Sequence, residues 1–129
     1  MDQKYKWAEA DIYKRLIDTS PSAIVIVDED DKLISWNESA VKIFGHSQNE
    51  ALGQSLHIII PKIHRDAHDI GINRVRNGGR KKLIGKLTII EALHKEGHHF
   101  DVQIALSDWS FLGKKYYSAI INQIFSRPE

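Results

Sequence analysis

The sequence predicts a single α+β domain built on a five-stranded antiparallel sheet. Helical and strand-like patterns are segregated along the chain: one helix, two strands, several short helices, then three strands. Such segregation indicates an α+β domain, whereas a parallel sheet would need alternating strands and helices. No internal repeat or linker divides the 129 residues, and this length suffices for one hydrophobic core.

The first elements are a helix and a hairpin. Apolar residues recur at helical intervals between Lys6 and Ile17, which predicts an amphipathic helix. Ala23–Val27 is short, apolar and β-branched, as in a covered strand, and Leu33–Trp36 is its returning partner. The acidic turn between them, residues 28–32, lacks the glycine that hairpin turns often use.

Two short helices follow the hairpin. Asn37 is a suitable N-cap for a helix from Glu38 to Phe44, which Gly45 closes. Ser47 and Glu50 have the spacing of a capping box, which predicts a second short helix that Gly53 ends.

A longer helix is predicted after Pro61, and its central residue is His68. Proline at the start and glycine at the end are matched helix signals. One face of this helix holds His64, His68, Gly71, Ile72 and Val75. A histidine on such a face is either a packed core residue or a ligand to something held between helix and sheet.

Three strand-like runs complete the predicted sheet. They are Leu83–Leu93, His99–Asp108 and Lys114–Phe125. The first two are joined by a turn that contains Gly97, and the third follows a turn at Gly113.

Composition excludes several functional classes. The chain has 18 basic and 17 acidic residues, so its net charge of +1 gives no electrostatic basis for binding nucleic acid or a membrane surface. It has no cysteine, which excludes disulfides, thiolate catalysis and cysteinyl adducts and agrees with a cytoplasmic setting. No nucleophile–base arrangement or phosphate-binding glycine loop is recognisable, so we expect no catalysis by this segment.

The chain resembles a PAS domain from about Ser20 to Phe125. The matching segments are Ser20–Asp28, Ile34–Asn37, Phe44–Gly45, Glu50–Gly53, Ile60–Pro61 and Lys95–Phe100. The resemblance implies a PAS fold, with short helices and one longer helix on one face of the sheet. It divides the chain into a flanking amphipathic helix at 1–19, a PAS domain at 20–125 and the start of a linker to an effector at 126–129. It also implies a sensory module that binds a small ligand or cofactor and acts on that effector.

Within this family, the second half is most similar to the haem-binding PAS domain of the FixL oxygen sensors. The similarity places His68 at the proximal ligand of haem b and Arg74 at a haem propionate. The other residues that it implies around the cofactor are Ile72, Lys82, Leu83, Thr88, Ile104 and Leu106. Thr88 stands where those sensors have the arginine that bonds oxygen, and a hydroxyl is a shorter and weaker donor. The usual Asp-Ile-Thr ending reads Gln123-Ile124-Phe125 here.

Alternatives remain open at this point. His68 is otherwise a packed or polar-pocket histidine, and zinc on His64 and His68 lacks a third ligand in the sequence. Flavin is a second cofactor candidate through Trp36 and Asn37, although these two also suit the core and an N-cap. The other function class is a ligand-free interaction module, a homodimer formed through the first helix and the outer sheet face.

Overall fold

The computed structural model describes residues 8–76 and 84–125. Its helices are α1 (Ala8–Thr19), α2 (Glu38–Phe44), α3 (Gln48–Ala51) and α4 (Arg65–Arg76), with 3₁₀ turns at Leu56–Ile59 and Lys62–His64. Its strands are β1 (Ala23–Asp28), β2 (Leu33–Trp36), β3 (Leu87–Leu93), β4 (His99–Phe111) and β5 (Lys114–Gln123). The predicted linker at 126–129 lies outside the described residues.

The five strands form one antiparallel sheet in the order β2-β1-β5-β4-β3, which confirms the predicted fold class. The register of β1 against β5 pairs Val25 with Ala119 and Ile24 with Ile120. Directly opposed residues share a face of the sheet. Val25 and Ala119 are buried while Ile120 is exposed, so one face carries the core and the other faces outward.

Aromatic side chains join the short helices to the covered face. The ring of Phe44 on α2 lies 5.5 Å from that of Trp36 on β2 and 5.8 Å from that of Phe100 on β4, between centroids. Both Phe44 and Trp36 are buried. The indole of Trp36 donates a hydrogen bond to the His46 carbonyl at 3.0 Å, so its polar atom is satisfied inside the core.

Asn37 is a buried polar residue at the junction of α1, β1 and α2. Its Oδ1 accepts from the amides of Ile24 at 2.9 Å and Ala40 at 3.1 Å, the second of which is the predicted N-cap bond. Its Nδ2 donates to the carbonyls of Ile17 at 2.7 Å and Ser22 at 3.1 Å. The side-chain oxygen thus accepts two hydrogen bonds and the side-chain nitrogen donates two, so the buried amide has no unpaired polar group.

The predicted capping box of α3 is present, and it is tied to the β3–β4 turn. Ser47 Oγ accepts from the Glu50 amide, and Glu50 Oε1 accepts from the Ser47 amide. Lys95 lies 2.5 Å from the other Glu50 oxygen. The hydrogen bond from Lys95, with those from Ser47, lowers the pKa of Glu50 to about 2.

Several boundaries differ from the sequence prediction; β4, for example, extends to Phe111, beyond the predicted end at Asp108. Strand β3 begins at Leu87 because Gly85 has a φ of 82°, a left-handed conformation that interrupts an extended strand. Helix α4 begins at Arg65, because Pro61 precedes a 3₁₀ turn instead of opening the α-helix itself; its course through Gly71 to Arg76 agrees with the predicted helical face. Across the described ranges, no helix is long and apolar enough to cross a bilayer.

We expect Asn37→Ala to lower the free energy of unfolding by about 2–4 kcal/mol, because it removes a cap and leaves buried backbone groups unpaired. Urea denaturation followed by circular dichroism measures this change. Asn49→Ala, at an exposed position of α3, is the matched control. Equal stability of the two variants would contradict the role assigned to Asn37.

Candidate functional site around His68

Three segments that are distant in sequence meet at His68. The turn between β1 and β2 supplies Asp31, the first 3₁₀ turn supplies His57, and α4 supplies His68 and Asp69. One ligand atom from each of these four residues, an imidazole nitrogen or a carboxylate oxygen, lies within 4.8 Å of the other three. Two imidazoles and two carboxylates therefore form a single polar cluster between the helices and the hairpin.

Asp31 is held in place by the geometry of its turn. Its φ of 61° is in the left-handed region, which aspartate tolerates better than most residues. The Asp28 side chain fixes the turn by accepting from the amides of Asp30 and Lys32. Ser55 Oγ donates to Asp31 Oδ2 at 2.9 Å and also caps the 3₁₀ turn that carries His57. The glycine missing from this turn is thus replaced by an aspartate whose side chain faces the site.

His68 pairs with Asp31. Its Nε2 lies 3.1 Å from Oδ1 and 3.2 Å from Oδ2, and only 17% and 14% of the two side chains, respectively, are exposed. Burial raises the pKa of Asp31, but the hydrogen bond and charge of His68, with the hydrogen bond from Ser55, outweigh burial and leave the pKa below its ordinary value. Because an ionised carboxylate only accepts hydrogen bonds, His68 Nε2 carries the shared proton.

A second imidazole–carboxylate pair stands beside the first. His57 Nε2 lies 2.6 Å from Asp69 Oδ1, with 33% and 51% of these side chains exposed. The rings of His57 and His68 meet edge to face, 5.7 Å between centroids. The second pair is therefore in contact with the first but more open to solvent.

Helix α4 is attached through polar contacts over its described side chains. From Arg65 to Gly71, none of these side chains belongs to the hydrophobic core or packs against it. Arg65 Nε donates to the Ile60 carbonyl at 3.1 Å, and His64, just before the helix, lies 3.5 Å from a Glu91 oxygen on β3. The pair of His68 and Asp31 is the most buried of the described ion pairs of this segment.

The structure brings together three of the residues predicted to line a cofactor. Thr88 on β3 lies directly opposite Ile104 on β4, so both point to the same face of the sheet. Leu106 is two residues further along β4 and shares that face, where Ile104 is buried in the core and Leu106 packs against it. Asp31, the partner of His68, belongs to the hairpin at the other edge of the sheet.

The remaining predicted site residues are described less fully. Ile72 and Arg74 lie in α4, and the structure describes only their backbone. Lys82 and Leu83 lie outside the described residues, as does most of the basic run that the sequence places between positions 74 and 82. Their predicted contacts with a cofactor therefore stay predictions.

Sequence reasoning identified His68 but missed the residues around it. The sequence pattern places Asp31 in an acidic hairpin turn and indicates neither His57 nor Asp69 as a neighbour of this residue. The available signal was the unusual hairpin turn without glycine, since a residue in such a turn must adopt a left-handed conformation and aspartate does so readily. That signal indicates a constrained aspartate and gives no information about the histidine that meets it.

The comparisons with known proteins agree with one another on a single family. A family model described as the PAS fold matches residues 11–110. The oxygen sensor protein DosP of Escherichia coli is 31% identical over 97 residues, which are 75% of this chain and 12% of that protein. The sensor protein FixL of Bradyrhizobium diazoefficiens is 24% identical over 111 residues, 86% of this chain and 22% of that protein.

A solved structure agrees with this fold. The PAS domain of a protein from Colwellia psychrerythraea matches with a TM-score of 0.73 at 22% identity, and the match covers 92% of this chain and 98% of that domain. The chain spans 22% or less of the curated relatives DosP and FixL.

Proposed function

The chain belongs to the PAS family, and from this premise we propose that it is the sensory module of a larger signalling protein. Two relatives are named as sensors, and each is several times longer than the matched region. We infer that an effector domain in the same polypeptide receives the signal, and that the module works in the cytoplasm without contact to nucleic acid or membrane.

The observation that carries this proposal is the polar attachment of α4. A helix held by hydrogen-bonded pairs, with its described side chains outside the core, moves at a lower energetic cost than one packed by apolar side chains. A ligand that takes His68 away from Asp31 would change the position of α4 relative to the β1–β2 hairpin. An effector joined to the domain would respond to that displacement.

Haem b ligated by His68 is the finer form of the proposal. Ile104 and Leu106 offer an apolar wall on the covered face of the sheet, and Thr88 beside them offers one hydroxyl donor. Haem iron in such an environment binds diatomic gases or changes its oxidation state. The present position of His68 disfavours haem ligation, because its Nε2 is hydrogen-bonded to Asp31. Ligation therefore requires the pair to separate, and Asp31 acts as a competitor for the imidazole.

The haem proposal is tested by titrating haemin into the purified protein and recording visible absorption. We expect a sharp Soret band that shifts on reduction and on addition of carbon monoxide, and that His68→Ala abolishes. His64→Ala, four residues earlier and outside the cluster, is the matched control and retains the band. Asp31→Asn replaces the charged acceptor with a neutral one, which weakens the hold on the imidazole and raises haemin affinity about ten-fold. An identical band in the wild type and in His68→Ala would contradict ligation by His68.

A specific observation favours a second function, that of an interaction module. Helix α1 exposes Ile12, Tyr13 and Leu16, and Leu16 is 64% exposed. Ile120 adds an apolar side chain to the outer face of the sheet. Grouped apolar side chains on a surface are typical of protein–protein contacts. Under this proposal the module pairs with a second copy of itself through α1 and the outer sheet face, with or without a ligand.

We expect Leu16→Asp to weaken self-association at least ten-fold, an order-of-magnitude expectation for a charge at an apolar contact. Sedimentation velocity measures the dimer constant. Leu112→Asp, at a leucine that is 85% exposed in the β4–β5 turn, is the matched control and leaves the constant unchanged. Substitution is preferable to deletion of α1, since deletion would remove the Ile17 carbonyl that Asn37 bonds. Monomeric wild-type protein would contradict this second function.

A further inference from the structure

We propose that Asp31, His57, His68 and Asp69 form a binding site for a divalent transition metal ion of the zinc class. The four side chains come from three separate segments and present one ligand atom each to a common centre. This inference goes beyond the proposed sensory function and assigns a ligand to the cluster without reference to haem.

The donor set selects the class of metal. Imidazole nitrogen and carboxylate oxygen are common ligands of Zn²⁺ and of Co²⁺, which replaces it. Ca²⁺ and Mg²⁺ prefer oxygen alone, and two imidazoles disfavour both. Two carboxylates balance the charge of a divalent ion, so the filled site is close to neutral. A nitrogen that coordinates a metal carries no proton, so each imidazole binds the ion as the neutral tautomer with its proton on the other ring nitrogen.

The distances are compatible with a site that closes around the ion. Ligand atoms around tetrahedral zinc are separated by about 3.3 Å, as follows from bond lengths of about 2.0–2.1 Å. The four atoms here lie within 4.8 Å of one another, so small side-chain rotations suffice. His57 and Asp69 are partly exposed and paired with each other, while Asp31 is fixed by its turn and by Ser55. The hydrogen bond that the Ser55 hydroxyl donates orients the Asp31 carboxylate, as hydrogen bonds from outer-shell residues do in metal sites.

A second group of potential ligands in the described residues is less suitable and serves as an internal control. His94, Glu96 and His98 surround the β3–β4 turn, and both Glu96 and His98 are exposed. His94 Nδ1 already accepts a hydrogen bond from the Glu96 amide. Within the described chain this group has three potential ligands and not four. It also lacks a carboxylate that a neighbouring side chain orients by a hydrogen bond, as Ser55 orients Asp31.

The experiment uses the full chain, stripped with a chelator and titrated with Co²⁺ and then Zn²⁺. We expect one equivalent of Co²⁺ to give the visible bands of a tetrahedral site, and Zn²⁺ to remove them. His57→Ala and Asp69→Asn each alter a direct ligand and weaken binding at least as much as loss of an outer-shell partner does, by about ten-fold or more, while His64→Ala and His98→Ala leave it unchanged. Zn²⁺ also raises the melting temperature of the wild type but not of His57→Ala, which reports binding to the folded state.

Several outcomes would overturn the metal site. They are wild-type protein without saturable Co²⁺ binding, equal affinity in His57→Ala, and loss of binding in His98→Ala. Failure of this proposal is distinguishable from failure of the haem proposal, because the titration contains no haemin. Asp31→Asn separates the two further: it weakens metal binding and strengthens haemin binding. His57 and Asp69 variants affect only the metal.

Discussion

The contact between His68 and Asp31 is the interaction on which the functional account depends. It joins α4 to a hairpin at one edge of the sheet, across 37 residues of sequence. The described side chains of α4 add no core packing, so polar pairs hold the first half of this helix. A hydrogen bond to a charged group contributes more than a neutral one, yet a competing ligand for the imidazole removes it entirely. The attachment is therefore both specific and reversible.

The rest of the domain provides a fixed frame for this contact. Asn37 satisfies backbone groups from three elements inside the core, and the Trp36, Phe44 and Phe100 rings join helices to sheet. Buried networks of this kind stabilise one arrangement of the elements. The left-handed turn that presents Asp31 is fixed by its own hydrogen bonds. We therefore expect a change at His68 to act on α4, which polar pairs hold, more than on the sheet.

Local signals predicted most of the fold, and non-local contacts determined the site. The caps at Asn37 and Ser47 and the stop at Gly45 are recognisable because each depends on residues within four positions. Helical spacing placed His68 on a face of α4 but did not reveal that the face meets an acidic turn. Asp31 comes to His68 through the packing of the hairpin and the 3₁₀ turn, which no short pattern encodes. For the same reason helical spacing pairs His68 with His64, a pair without a third zinc ligand in the sequence, whereas the structure places His57 beside His68.

Native-state hydrogen exchange in α4 tests the central claim most directly. Asp31→Gly, which tolerates the left-handed turn, and His68→Ala should each speed exchange of the Asp69 to Gly71 amides about ten-fold, matching a hydrogen bond worth about 1.4 kcal/mol. The double variant should exchange no faster than either single one, since both remove the same contact. Asp30→Gly, next in the turn, should leave these amides unchanged. Unaltered exchange in Asp31→Gly, or rates that multiply in the double variant, would contradict attachment of α4 through this pair.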